Sequence, residues 1–109
     1  VPKRGDIVVF TNKEKNIDVV KRVIGLPGEE VESQEGSILI NSIKLNDSWA
    51  KSFVDDFVKT HLAEDEIFVL GDQRTISSSD SRSVGPVKYT DCWKLKVRYW
   101  PYYRFKTYE

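Results

Sequence analysis

The stretch Ile17–Glu30, IDVVKRVIGLPGEE, constrains the fold more than any other. Val19, Val20, Val23 and Ile24 are β-branched, and Gly25, Pro27 and Gly28 end the run, which predicts a strand. GDIVVF (Gly5–Phe10) is a second such run, and the polar TNKEKN (Thr11–Asn16) between them predicts an antiparallel hairpin. Two adjacent cations stand in the middle of the longer strand. Alternation sets Lys21 beside Val19 and Val23, and Arg22 beside Val20 and Ile24. If the Val19/Val23 face is buried, Lys21 leaves water, which disfavours the ammonium and creates a lysine base. Arg22 stays charged and needs a carboxylate. On the pattern alone the plainer reading is an edge strand whose solvated cations discourage aggregation.

The rest of the chain continues in short strands. GEEVESQEGSILINSIKL predicts strands at Glu30–Ser33 and Ser37–Asn41, with turns at Gln34–Gly36 and, more weakly, at Asn41–Ser42. SFVDDFVKTHL (Ser52–Leu62) predicts the one helix. Phe53, Val54, Phe57 and Val58 fall at i, i+1, i+4 and i+5, and Ser52 with Asp55 resembles a capping box. EIFVLGDQR predicts a strand ending at Gly71, TISSSDSRSVG a loop, and KLKVRYWPYYRF a last strand with Leu95, Val97 and Tyr99 alternating up to Pro101. No repeat or linker divides residues 1–109, so the expectation is a single, mainly β domain with one short helix.

Composition removes several function classes. The formal net charge is +0, which argues against a general nucleic-acid binder or an anionic-membrane binder. The single Cys92 leaves no intrachain disulfide and reads as a small packed side chain. One Cys and one His give no metal-ligand cluster, so neither metal nor cofactor is expected. His61 reads as an ordinary helical residue, and no Ser-His-Asp set is legible. GLPGEE has no helix signature after it, so it makes a poor phosphate cradle. Trp49, Trp93 and Trp100 read as core and rim of a small β domain. No apolar run is long enough to span a membrane and no leader peptide is visible. The chain enters a strand almost at once and contains no Met, so we expect a piece whose natural start lies upstream. GDQRTISSSDSRSVG (Gly71–Gly85) crowds serines and ion-pairing residues behind an apolar strand, where sites often sit, although a hydrated turn would look the same.

Four stretches, in this order and spacing, resemble the type I signal peptidases, which use a Ser–Lys dyad. PKRGDIVVF (Pro2–Phe10) resembles the segment after the family's nucleophile. DVVKRVIGLPGEEVE (Asp18–Glu32) resembles its lysine box. EGSILIN resembles its following short strand, and GDQRTISSSDSRSVGPV (Gly71–Val87) its last box. The YWP near the end also fits. The resemblance implies a mainly β fold of coiled antiparallel sheets, barrel-like, and a serine endopeptidase removing signal peptides from exported preproteins. Lys21 would match the general base, and Ser78 the hydroxyl that orients it. Asp80 and Arg82 would match an ion pair shaping the loop, and Asp72 the partner of Arg22. Gly71 would keep space beside the lysine. Asp18, Val19 and Val20 would offer a strand edge to an extended substrate, and Val9 with Val20 would line shallow pockets for small side chains. The implied setting is bacterial: a single-pass anchor in the cytoplasmic membrane, absent here, with the catalytic domain on the extracytoplasmic side.

The departures are specific. The family's serine box, which precedes the segment matched by Pro2–Phe10, is absent, so this chain alone is expected to be inactive. The last box is one residue longer after Arg74, which leaves Ser77 and Ser78 as alternatives. Gln73 replaces the usual Asn. The stretch between Asn46 and Glu64 is compact where many relatives insert an extended β-domain. Two other readings stand beside the peptidase: a non-catalytic relative acting as an assembly factor or chaperone for surface polymers such as pili, and a self-cleaving repressor domain with a Ser–Lys dyad, which the GLPGEE and DSR boxes fit poorly.

Overall fold

Alternating β-branched residues pair wherever a turn lets the chain reverse. The computed structural model describes residues 1–46, 48–50, 53–74 and 80–94. β1 (Ile7–Asn12) and β2 (Ile17–Gly25) form the predicted hairpin. Its turn is held by Asn12 Oδ1, which accepts from the backbone N–H groups of Glu14 and Lys15 at 3.1 and 3.3 Å. β3 (Glu30–Gln34), β4 (Ser37–Ile40) and β5 (Ile43–Lys44) form a meander. Its two tight turns, Glu35–Gly36 and Asn41–Ser42, have positive φ at both central residues, which suits the right-handed twist of the flanking strands. β6 (Thr60–His61) adds to the other side of β3. β7 (Glu66–Leu70) pairs with β2 and with β8 (Val87–Lys88), and β9 (Trp93–Lys94) pairs with β1. Two antiparallel sheets result, ordered β8-β7-β2-β1-β9 and β5-β4-β3-β6, the first curled into a half-barrel.

The curled sheet is covered on both faces. Ile24, Phe68 and Leu70 join Val31, Ile38, Ile40, Val54 and Leu62 in a core between the sheets. Val8, Phe10, Val19, Val23, Ile67 and Val69 form the core of the opposite face. Removing this apolar area from water is the main stabilising term. The inter-sheet core approaches β2 so closely at Gly25 that a Cβ there would meet Val31 Cγ2 at 2.6 Å. A register shift between Val23 and Gly25 bends β2 at the same place.

Two expectations are corrected. Residues 53–62 do not form a helix. Their backbone groups bond outward instead: Val54 N–H to Gly36 O, Phe57 N–H to Ser33 Oγ, and Leu62 N–H to Glu29 O. Val54 is buried and Phe57 stacks on Phe68 with centroids 5.1 Å apart, while Phe53 and Val58 face solvent. Docking against β3 and the β3–β4 turn overrides a weak helical spacing. His61 is consequently an exposed strand residue, and Ser52 of the supposed cap lies outside the described residues. The α-helix of the described residues is instead α1 (Ser81–Val84), one turn capped by Asp80, whose side chain accepts from Arg82 N–H. The second correction concerns β2, whose half from Arg22 to Gly25 lies between β1 and β7 rather than at the edge of its sheet. Of the last predicted strand, its first residue Lys94 is seen as the end of β9; Leu95, Val97 and Tyr99 lie outside the described residues, as does Trp100.

The segment before β1 is fastened to β2. Gly5 N–H donates to Val23 O and Val23 N–H to Asp6 O, both at 2.8 Å. Arg4 donates from Nη1 and Nη2 to the two oxygens of Glu29 at 2.7 and 2.8 Å, and from Nη1 also to Ile24 O at 2.9 Å. Glu29 Oε1 accepts from Leu26 N–H, closing the turn between β2 and β3. GLPGEE is thus a clamp for the start of the chain. The Arg4 guanidinium holds the Glu29 carboxyl below its ordinary 4.5. A lowered carboxyl pKa stabilises the fold above the unfolded value and loses that contribution as pH falls through the folded one. Between pH 6 and pH 3 the native chain should therefore lose more stability than Glu29→Gln, by on the order of 1 kcal/mol for a partly screened pair. Urea unfolding at both pH values measures it; equal losses would contradict the clamp.

Candidate active site

The two cations of β2 part company. The alternation holds: Lys21 lies on the face of Val19 and Val23, opposite Val8 across the β1–β2 ladder. That face is buried, and Lys21 is 0% exposed. Burial penalises an ammonium relative to an amine. The solvated-cation reading fails because both faces of β2 are covered, which an alternation pattern cannot reveal.

Arg22 points the other way and is held by Asp72 and Gly5. Its Nε and Nη2 each donate to one Asp72 oxygen at 2.9 Å, and its Nη1 donates to Gly5 O at 2.9 Å. The side chains of the pair are 13% and 8% exposed. Its guanidinium carbon lies 5.3 Å from the centroid of the Trp49 ring. Leu70, the last residue of β7, pairs with Arg22, so Gly71 and Asp72 leave the sheet where β2 presents Arg22. Fifty positions separate Arg22 from Asp72, and only the β2–β7 register brings them together.

Beyond Asp72 the chain builds a polar knot. Arg74 is 1% exposed and donates from Nε to Gly71 O at 2.6 Å. Arg82 forms an ion pair with Asp80 at 2.8 Å and donates from Nη2 to Arg74 O at 2.7 Å. Val69 N–H donates to Ser81 Oγ at 2.8 Å, pinning α1 to β7. Ser77 and Ser78 lie outside the described residues. Arg74, Ser81 and Gly5 have no role in the sequence reading although all three stand within quoted boxes, and Trp49 reads there only as core or rim.

On the flank facing β7, pairing covers β2 from Arg22 to Gly25 and stops. Among the described residues no strand continues along Ile17–Lys21 on that side, so the edge at Asp18, Val19 and Val20 has β1 alone as a neighbour. Val9 pairs with Val20, and both side chains are buried on the Arg22 face; Asp18 pairs with Thr11, whose hydroxyl donates to Asp18 Oδ1 at 2.7 Å. A cleft of about 700 Å3 borders Arg74, Asp80 and Arg82 but not Lys21. The lysine therefore belongs to a strand margin rather than to that cleft.

Other reactive groups are quiet. Burial, followed by the nearby charge of Asp91, pushes the Cys92 thiol up to about 11, so it is protonated at neutral pH and a poor nucleophile. Among the described residues no group of His, Cys, Asp and Glu could hold a metal ion, and no helix is long and apolar enough to cross a membrane.

Comparison with known proteins gives a consistent picture. The family model described as "Signal peptidase, peptidase S26" matches residues 1–100. Signal peptidase I of Bacillus caldolyticus is 36% identical over 119 residues, covering 94% of this chain and 64% of its own length. Signal peptidase I P of Bacillus subtilis subsp. natto is 36% identical over 92 residues, covering 74% of this chain and 49% of its own. The crystal structure of a signal peptidase I from Enterococcus faecalis V583 superposes with a TM-score of 0.77 at 31% identity, over 89% of this chain and 97% of that one. The chain thus spans between 49% and 64% of the length of these two curated relatives.

Proposed function

The chain belongs to the signal peptidase family, peptidase S26, and on that premise we propose that it carries the lysine base of a Ser–Lys dyad endopeptidase that removes signal peptides from exported preproteins. The observation that carries the reading is the complete burial of Lys21 on a strand whose next residue is held by a carboxylate. A lysine in water titrates near about 10.4 and is almost wholly charged at pH 7. Burial favours the neutral amine, the form a general base requires.

The dyad hydroxyl is proposed to come from a serine ahead of the Pro2–Phe10 segment in the longer protein, so that residues 1–109 are the greater part of one catalytic domain and do not cleave by themselves. Lys21 Nζ takes the serine proton as Oγ attacks the scissile carbonyl. Lys21 passes the proton to the leaving amine, and the neutral Lys21 amine then takes a proton from the water that hydrolyses the acyl ester and returns it to the departing serine Oγ. Hydrogen-bond donors around the carbonyl oxygen stabilise the tetrahedral intermediate. Ser78 is proposed to orient Lys21, and Gly71 to leave room beside it. The Asp80–Arg82 pair and the Arg22–Asp72 pair hold the surrounding backbone. The substrate adds as a strand along Asp18–Val20, with small side chains meeting the Val9/Val20 row. A membrane anchor in the longer protein would put this domain outside the cytoplasm, where exported chains emerge.

The test is processing of an exported preprotein by the longer natural protein in detergent micelles, with the product N-terminus sequenced. A cut after a small residue supports the reading. Absence of cleavage by a protein that shows a cooperative melt would overturn it.

A further inference from the structure

Trp49 joins the two sheets at the candidate site. It comes from the connection between β5 and β6 in the four-stranded sheet and packs against the inter-sheet core. From there it reaches Gly5, where a Cβ would sit 2.6 Å from Trp49 Cζ2. Gly5 has φ +92, so a side chain there is excluded both by its backbone and by the indole. The Gly5 carbonyl accepts from Arg22 Nη1, and the Arg22 guanidinium lies over the indole at 5.3 Å. The planar cation is therefore held on three sides: by the Asp72 carboxylate, by the Gly5 carbonyl and by an aromatic face. A guanidinium 5.3 Å from a ring centroid is within the range of a cation–π attraction.

The position of this assembly along β2 gives it a consequence for Lys21. Pairing with β7 ends at Arg22, and Lys21 is the next residue. On that flank Arg22 is the last strand-paired residue of β2 before the margin where the base stands. Movement of the Arg22 side chain would pass directly into the Lys21 backbone.

We propose that Trp49 is a positioning residue for Lys21, acting through Arg22, a role that rests on the base assignment above. The indole does not touch the reacting atoms. It fixes the plane of Arg22, and with it the strand carrying the amine.

The experiment uses the longer natural protein and separates kcat from KM for a preprotein substrate. Trp49→Leu, which keeps apolar bulk and removes the ring, should lower kcat about 10-fold, leave KM within about twofold and displace the acid limb of the pH–kcat profile. Trp49→Phe, which keeps a ring, should restore kcat to within about threefold of the native value. If Trp49→Leu does not fold, Trp49→Met supplies the same comparison. A lower melting temperature with unchanged kcat and pH profile would reduce Trp49 to packing and overturn the proposal, as would a Trp49→Phe protein no better than Trp49→Leu. Lys21→Met in the same assay keeps the two readings apart. Activity surviving that change removes the base assignment itself, whereas an inactive Lys21→Met beside a fully active Trp49→Leu removes only the role of Trp49.

Discussion

In the longer natural protein, Lys21→Met is expected to lower kcat for preprotein cleavage at least about 10³-fold while leaving the fold intact. The magnitude is that of removing the proposed general base. Methionine matches the length of the lysine stem and tolerates irregular apolar surroundings. Here those surroundings include Val8, Val19 and Val23. Exchanging a fully buried amine for a thioether gives up its polar contacts together with its desolvation cost, so the melting temperature should not collapse. Lys21→Arg should be equally inactive, because a guanidinium does not deprotonate in this range. Initial cleavage rates and a thermal melt on the same samples decide the matter. A folded Lys21→Met protein keeping a tenth of native activity would show that the base is elsewhere.

The second large effect is on stability. Asp72→Ala leaves Arg22 Nε and Nη2 without their acceptor in a place where the Arg22 side chain is 13% exposed. Removing one member of a buried pair costs about 3–5 kcal/mol, most of it the penalty of the uncompensated charge. A domain this size is stable by only about 5–15 kcal/mol, so Asp72→Ala should sit near the edge of folding. If uncompensated charge is the cause, the double variant Arg22→Leu/Asp72→Leu should recover at least half of the loss. Urea unfolding of the native protein, Asp72→Ala and the double variant measures the loss and its recovery. A loss below about 1 kcal/mol for Asp72→Ala would mean that Gly5 and Trp49 hold the cation without the carboxylate.

The strands of this fold were legible because period-two alternation and turn residues are local signals. IDVVKRVIG and SILI announce themselves, and Asn41–Ser42 marks a reversal that its positive φ values bear out. The segment from Phe53 to Leu62 was misread because four apolar residues at near-helical spacing also suit an extended strip. What fixes it is a neighbour, the Gly36 turn, that lies far away in sequence. The burial of Lys21 was illegible for a related reason. Alternation tells which residues share a face but not whether both faces are covered, and covering β2 took the inter-sheet core and the core of the opposite face together. Arg22 with Asp72 could be matched through the family pattern, whereas Trp49 over Arg22 rests on a contact that no spacing encodes. The α1 turn hid in a serine-rich loop because one turn of helix has no periodicity, only the Asp80 cap.

The fastening of Lys3–Asp6 also bears on concentration. Backbone bonds to Val23 and the bidentate Arg4–Glu29 clamp set the direction in which the polypeptide joins the sheet. A hydroxyl carried a few residues ahead of Lys3 would not search freely for its partner; it would be confined to a small volume around one end of β2. Well-oriented intramolecular partners behave as though present at effective molarities of about 10⁵ M or more. If the proposed upstream serine is the partner of Lys21, the Arg4–Glu29 clamp limits how far that hydroxyl can stray from the amine.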